Sequence, residues 1–212
     1  AGVDGNGQRP LADVLSSLAH LTAGTVRVQG TEVPTGVAGA MARAGVAVIP
    51  EDRHDSGCVL GFSVAENLFL AEPERVARHR MIETEAMHRL SEELIERYDI
   101  VCDGPDAAMG SLSGGNQQRV VVARELSHDP VVLVAAQPTR GLDVGAVEDI
   151  SERIEAAAAA GVAVLLISSE LDELLDLADR VAVIHRGRIV GELTRREFDV
   201  TRIGLLMTGT SA

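Results

Sequence analysis

No lysine occurs in this 212-residue chain, and all 19 basic residues are arginine. Any mechanism that requires a lysine is therefore excluded within this polypeptide. Tryptophan is also absent and aromatic residues make up only 2% of the chain, so the core has to be built from Ala, Val, Leu and Ile, in which the sequence is rich. Positive charge is scarce: 32 acidic residues outweigh the arginines and leave a formal charge of −13. Such a balance repels phosphate backbones and anionic membrane surfaces, which disfavours nucleic acid as the main ligand. Only two cysteines are present, Cys58 and Cys102, with neither a disulfide framework nor a CxxC redox site around them, and buried or half-buried thiols are expected. The longest apolar stretches, 131–136 and 161–167, fall far short of the roughly 18–20 residues of a membrane span. No signal peptide is visible. The length fits one globular domain with room for a subdomain.

What is there alternates. Short apolar runs at 46–49, 131–135, 162–167 and 181–184 read as buried strands between helical patterns, the mark of an α/β domain with a mostly parallel sheet. Between the first two lies a block with no good strand of its own, in which Ile82, Ala86, Met87, Leu90, Leu94 and Ile95 recur at helical spacing among Glu and Arg. This block reads as a helical insert. Ser113 and Asp143 each precede a helical segment and are good N-caps. Residues 181–193 read as two strands joined by a turn at His185-Arg186-Gly187-Arg188, and the alanines of 156–160 read as helix rather than linker. From Thr208 on, the residues are small and polar, and fraying is expected.

The chain opens inside a glycine-rich stretch, Gly2-Val3-Asp4-Gly5-Asn6-Gly7-Gln8-Arg9-Pro10. Its spacing matches the phosphate-binding loop G-x-x-x-x-G-K-[ST], whose backbone N–H groups cradle phosphate oxygens at a helix N-terminus. Both chemical side chains are replaced. Gln8 stands where a lysine neutralises phosphate charge, and Arg9 where a hydroxyl holds magnesium. The six histidines show no paired metal-ligand spacing, and the acids at 170, 172 and 173 fit the first turn of a helix better than a metal site.

A more specific signal is Leu112-Ser113-Gly114-Gly115-Asn116-Gln117-Gln118-Arg119, followed beyond a strand by Gln137-Pro138-Thr139-Arg140-Gly141-Leu142-Asp143. Ser113 caps a helix whose first N–H groups, left accessible by Gly114 and Gly115, can face a phosphate. Together these segments resemble the ATP-binding cassette family, whose signature reads L-S-G-G-Q. The resemblance implies an α/β P-loop cassette carrying a helical subdomain, with N-terminal strands and the adenine-stacking aromatic lying outside the sequence given. It places 1–51 in the ATP-binding core (degenerate P-loop, hairpin, Q-loop strand), 52–128 in the helical subdomain with the signature, 129–207 in the rest of the core, and 208–212 in a tail.

Carried over residue by residue, the resemblance puts Glu51 in the Q-loop glutamine's place, and 58–66 in the region that touches a membrane permease. Ala136 replaces the magnesium-coordinating Asp of Walker B, Gln137 the Glu that polarises the attacking water, and Ser169 the switch histidine. Hydrolysis needs charge neutralisation, a held metal and an oriented water, and these replacements remove all of them. No catalytic residue is expected in this chain. Its nucleotide contacts would come from Ser113, Gly114, Gly115 and Asn116, with Asp143 in the D-loop and Gly5, Gly7 and Gln8 as a P-loop remnant. In the family two cassettes pack head to tail around ATP, so an asymmetric pair keeps one live site. The G-V-D-G-N-G-Q, P-E-D-R-H and A-A-Q-P-T-R-G-L-D-V-G-A segments further resemble the second cassette of bacterial importers for simple sugars and nucleosides, the A-A-Q form leaning to the nucleoside branch. Such a domain would work with a competent first cassette, permease subunits and, indirectly, an extracytoplasmic binding protein, on the cytoplasmic face of the membrane. ATP and magnesium would sit in the partner cassette's site, with no tightly bound cofactor here. The rivals are an active ATPase with an atypical site, against which the missing lysine counts, and a DNA-maintenance ATPase, whose long coiled coil has no room between Gly7 and Ser113.

Overall fold

The computed structural model describes residues 1–209. In chain order the elements are α1 (Gln8–Leu15), β1 (Val26–Val28), β2 (Thr31–Val33), α2 (Ala40–Arg43), β3 (Val46–Ile49), α3 (Val64–Leu68), β4 (Ala77–Arg78), β5 (Met81–Ile82), α4 (Thr84–Arg97), α5 (Gly114–Leu126), β6 (Val132–Ala136), α6 (Val144–Ala159), β7 (Ala163–Ile167), α7 (Leu171–Leu177), β8 (Arg180–His185), β9 (Arg188–Thr194) and α8 (Val200–Thr208). They form two compact units, one holding Ala1–Val48, Val131–Pro138 and the chain from Ala158 on, the other Ile49–Pro130 and Thr139–Ala157.

In the first unit, β3, β6 and β7 make a three-stranded sheet with β6 in the middle. β6 and β7 run parallel, from Val132 opposite Ala163 to Ala136 opposite Ile167. A strand flanked on both sides reads as a continuous apolar run, which is why Val-Leu-Val-Ala-Ala is apolar throughout. The sheet packs with Val28, Val33, Met41 and Val46 in one apolar cluster that includes Val134, Ala136 and Ile167. A separate cluster of Val181, Val183, Leu193, Ile203 and Met207 joins the antiparallel β8–β9 hairpin to α8.

The second unit is built on α5, where Val120, Val121, Val122 and Ala123 are all fully buried, too many successive positions for a helix with a solvent face. α3 packs on α5, and α4 on α3. Thr139–Ala157, which the sequence places with the core, groups with this unit because Arg119 on α5 pairs with Asp149 on α6 at 2.9 Å, and Arg153 reaches the Tyr98 carbonyl after α4 at 3.0 Å. Asn67 on α3 is fully buried: its Oδ1 accepts the Val59 N–H at 2.8 Å, and its Nδ2 donates to the Val59 and Ser63 carbonyls at 3.0 and 2.9 Å. Asn67→Ala leaves these groups unpaired away from water and should cost about 2–4 kcal/mol, read as a lower urea midpoint at unchanged slope.

Several boundaries differ from the sequence reading. The insert does carry strands: β4 and β5 pair as a minimal hairpin, turning at His79 and Arg80 with φ of 51° and 67°. Two residues per strand leave no periodicity to detect. Ile82 therefore lies in β5, and the helix begins at Thr84. Val131 stands just before β6, its N–H donating to the Gly45 carbonyl. At the far end Thr208 closes α8, whose buried Met207 holds its last turn, and Gly209 caps it at φ 78°. Of the tail expected at 208–212, residues 210–212 lie outside the described residues. Both cysteines are free, Cys58 buried and Cys102 half-buried, and burial pushes the Cys58 thiol up from its ordinary value. No helix among the described residues is long and apolar enough to cross a membrane.

Candidate functional site

The glycine loop at the start of the first unit is closed by its own side chains. Gly7, at φ 118°, caps α1 in a conformation that glycine alone adopts at little cost. Gln8 opens the helix, yet its side chain turns back so that Nε2 donates to the Val3 carbonyl at 3.0 Å, beside Asn6 Nδ2 on the same oxygen at 2.9 Å. Gln8 Oε1 is buried with no partner. Asn6 also fastens the loop to the β8–β9 turn: its Oδ1 accepts the Arg186 N–H at 2.8 Å and its carbonyl the Gly187 N–H at 2.7 Å. Gly5 and Arg9 stay exposed.

At the end of β6 the chemistry is equally self-contained. Ala136 is 3% exposed and part of the sheet's apolar cluster. Gln137, buried and at φ 48°, donates its backbone N–H to the Ile167 carbonyl at 2.7 Å. A non-glycine residue pays roughly 1–2 kcal/mol for that left-handed conformation. Offsetting it, Gln137 Nε2 donates to Ser169 Oγ at 3.0 Å and Asp4 Oδ1 at 3.3 Å, while Oε1 accepts the Ser169 N–H at 3.3 Å. The structure thus places Gln137 between Ser169 and Asp4, and turns Gln8 back onto Val3 of the same loop. The side chains at two of these positions lack the groups that a magnesium-nucleotide calls for: the amide of Gln8 carries no charge to set against a phosphate, and the buried methyl group of Ala136 is no metal ligand. Among the described residues no cluster of three or more His, Cys, Asp or Glu is placed to hold a metal ion.

In the second unit Ser113 caps α5, its Oγ accepting the Asn116 N–H at 3.4 Å and Asn116 Nδ2 at 3.1 Å. Asp143 caps α6 by accepting the Ala146 N–H at 3.0 Å. Position 115 must be glycine, since a Cβ there would lie 2.9 Å from Ala146 Cβ; the signature helix and the D-loop abut in this way. Glu51 is ion-paired with Arg140 at 2.6 Å. Arg53 lies across the start of α5 near Gly114 and donates from Nη1 to the Arg140 carbonyl at 3.4 Å, with its Nε buried and unpartnered. Asp52 accepts the Asp55 and His54 N–H groups, which hold its carboxyl below the ordinary value. The second unit so brings together Glu51, Ser113, Gly114, Gly115, Asn116 and Asp143, with an exposed serine at the helix end.

Arg53, Arg119, Asp149 and Arg153 were not singled out from the sequence. The i,i+4 spacing of Asp149 and Arg153 on one helix was a usable sign, but the pairing of Arg119 with Asp149, far along the chain, has no local signature. Burial pushes the Asp149 carboxyl up, but hydrogen bonds and charge from Arg153 and Arg119 outweigh it and leave it lowered from 3.8. A lowered folded pKa stabilises above the unfolded value and loses that contribution as pH falls through the folded one. Acid titration of stability should therefore steepen below pH 3.8, and Asp149→Asn should flatten that step, as read by urea unfolding at successive pH values.

Comparison with solved structures defines the class. An ATP-binding cassette solved as a dimer in a post-hydrolysis state with ADP and Pi superposes at a TM-score of 0.74, with 19% identity over 93% of this chain and 84% of that one. A nucleotide-free cassette from an ABC transporter gives 0.75, with 23% identity over 91% of this chain and 78% of that one. These likenesses establish the cassette fold. The model of the ABC transporter family matches residues 1–140, and the chain belongs to that family. Similar curated proteins are the guanosine import ATP-binding protein NupO of Bacillus subtilis, 38% identical over 100% of this chain and 42% of that protein, and the glucose import ATP-binding protein TsgD13 of Haloferax volcanii, 41% identical over 99% and 39%. The ribose import ATP-binding protein RbsA of Lactococcus lactis is 34% identical over 99% and 42%. The chain spans about two fifths of the length of these relatives.

Proposed function

We propose that this chain is the catalytically degenerate, C-terminal nucleotide-binding half of an importer ATPase for sugars or nucleosides, and that it donates its signature motif to the ATP site of a competent partner cassette. The observation that carries the reading is a contrast between the two surfaces. The P-loop remnant is filled by Gln8 and Asn6 on Val3, and by Gln137 between Asp4 and Ser169, whereas Ser113 stands exposed at an intact helix cap. On this reading, residues 52–128 act as the helical subdomain on a core of 1–51 and 129–207. Ser113 and the N–H groups at Gly114 and Gly115 present donors to phosphate, Asn116 completes the signature beside them, Asp143 makes the D-loop contact, and ATP with Mg2+ supplies its chemistry in the partner's site. The relatives that import guanosine, glucose and ribose support a sugar or nucleoside cargo. The A-A-Q run favours the nucleoside side.

The remaining partners follow from the same assignment. Val59, Leu60 and Phe62 are exposed apolar residues in the segment that would meet the permease. The extracytoplasmic binding protein acts through that permease, the domain works at the cytoplasmic membrane face, and no nucleic acid is involved. Calorimetric titration of the lone chain with MgATP tests the closed loop: no saturable binding is expected at millimolar nucleotide, and a micromolar dissociation constant lost on Gly7→Val would contradict it.

A further inference from the structure

The hydrogen bonds at the start of α5 determine where one proton points. Asn116 Oδ1 accepts the Val101 N–H at 2.9 Å and Arg119 Nη1 at 3.2 Å. Both partners are donors only, so the amide has one workable orientation: oxygen toward them, nitrogen toward Ser113. Ser113 Oγ then accepts from Asn116 Nδ2 and from the Asn116 backbone N–H. A hydroxyl has two lone pairs and one proton. With both lone pairs engaged toward the helix, the proton is left for an acceptor off the exposed helix end.

Arg119 does not stand alone. Its Nε donates to Asp149 Oδ2 at 2.9 Å, and the same carboxylate takes Arg153 Nε at 3.0 Å and Nη2 at 2.8 Å. Arg153 in turn donates to the Tyr98 carbonyl at 3.0 Å and Asp99 Oδ2 at 3.1 Å, and lies over the Tyr98 ring at 5.2 Å. The Arg119 and Asp149 side chains are about four-fifths shielded, so their geometry is held more firmly than that of a surface pair.

We propose that Asn116 and Arg119, anchored by Asp149 and Arg153, are positioning residues that aim the Ser113 hydroxyl proton at a phosphate oxygen of nucleotide held by the partner cassette. This rests on the donor half-site reading above. The relay makes α5 and α6 move as one block, and orients a group that touches the ligand without touching it.

The test is a double-mutant cycle read in ATP hydrolysis by this chain mixed with a competent cassette. Ser113→Ala, Asn116→Ala and Asp149→Asn should each raise the KM for ATP by about fivefold, the loss of one hydrogen bond. In the Ser113→Ala background Asp149→Asn and Asn116→Ala should then add nothing, because both act through the missing hydroxyl. Deuterium exchange at the Val101 amide should quicken in Asn116→Ala, confirming the bond. Additive effects in the double variants, or an unchanged KM in Asp149→Asn beside an impaired Ser113→Ala, would overturn the relay while leaving the half-site intact. An unchanged KM in Ser113→Ala would instead remove the half-site and the relay with it. Should Asp149→Asn unfold the chain, Asn116→Ala at the helix end decides by the same cycle.

Discussion

Ser113→Arg should silence hydrolysis in a mixture of this chain with a competent cassette while leaving the chain folded. The substitution removes the Oγ that caps α5 and places a long cation where the phosphate would approach. Losing the cap costs the helix about 1 kcal/mol, small beside the burial of Val120, Val121, Val122 and Ala123 that holds α5 in its unit. Beyond the lost hydroxyl, which alone raises the KM about fivefold, the arginine blocks the approach of the phosphate, and a fall of about 100-fold or more in rate is expected, the range for a site of developing charge that has lost its preorganised contacts. The two readouts are separate: phosphate release by the mixture falls by that factor, and the thermal unfolding of the variant shifts by only a few degrees. A comparable fall in both would mean that the serine matters for folding alone.

Ala136→Asp should fail as a repair and destabilise the chain. It restores the acid that the family's Walker B carries, but position 136 is 3% exposed and sits among Val28, Val33, Met41, Val46, Val134 and Ile167. The cluster offers it only apolar neighbours. A carboxylate there either ionises without a partner or takes up a proton, and both are costly. A loss of about 3–5 kcal/mol is expected, the range for an uncompensated buried charge, with some stability regained at acid pH as the carboxyl is neutralised. Denaturant unfolding at pH 5 and pH 8 measures it. A stable variant that gains magnesium-dependent hydrolysis would show that a single acid was all the site lacked. The wider expectation is that no single restoration helps, Gln8→Lys included, because the groups of such a site act together.

Local signals were legible in the sequence. The apolar run at 46–49 became β3 with the same limits, the turn at His185–Arg188 joins β8 to β9, and Ser113 and Asp143 cap the helices they precede. Each is written in neighbouring residues: a run of β-branched side chains, or a short polar side chain one turn from the N–H that it accepts. What was not legible is either very short or very distant. The β4–β5 hairpin has no repeat long enough to show a period. Asn6 meets Arg186 across nearly the whole chain, and Gln137 meets Asp4 in the same way. The replacements Gln8, Ala136, Gln137 and Ser169 were visible as departures from a motif, but not that the amides would turn inward and bond to one another. That closure is a tertiary fact. It turns a list of missing groups into a surface with its own hydrogen bonds.

The most direct measurement is steady-state ATP hydrolysis by this chain alone, by a competent cassette alone, and by the two mixed at matched concentration. No turnover is expected from this chain by itself and, in the mixture, turnover above that of the competent cassette alone that disappears with Ser113→Arg. Steady magnesium-dependent hydrolysis by the lone chain, undiminished by Ser113→Arg, would contradict it.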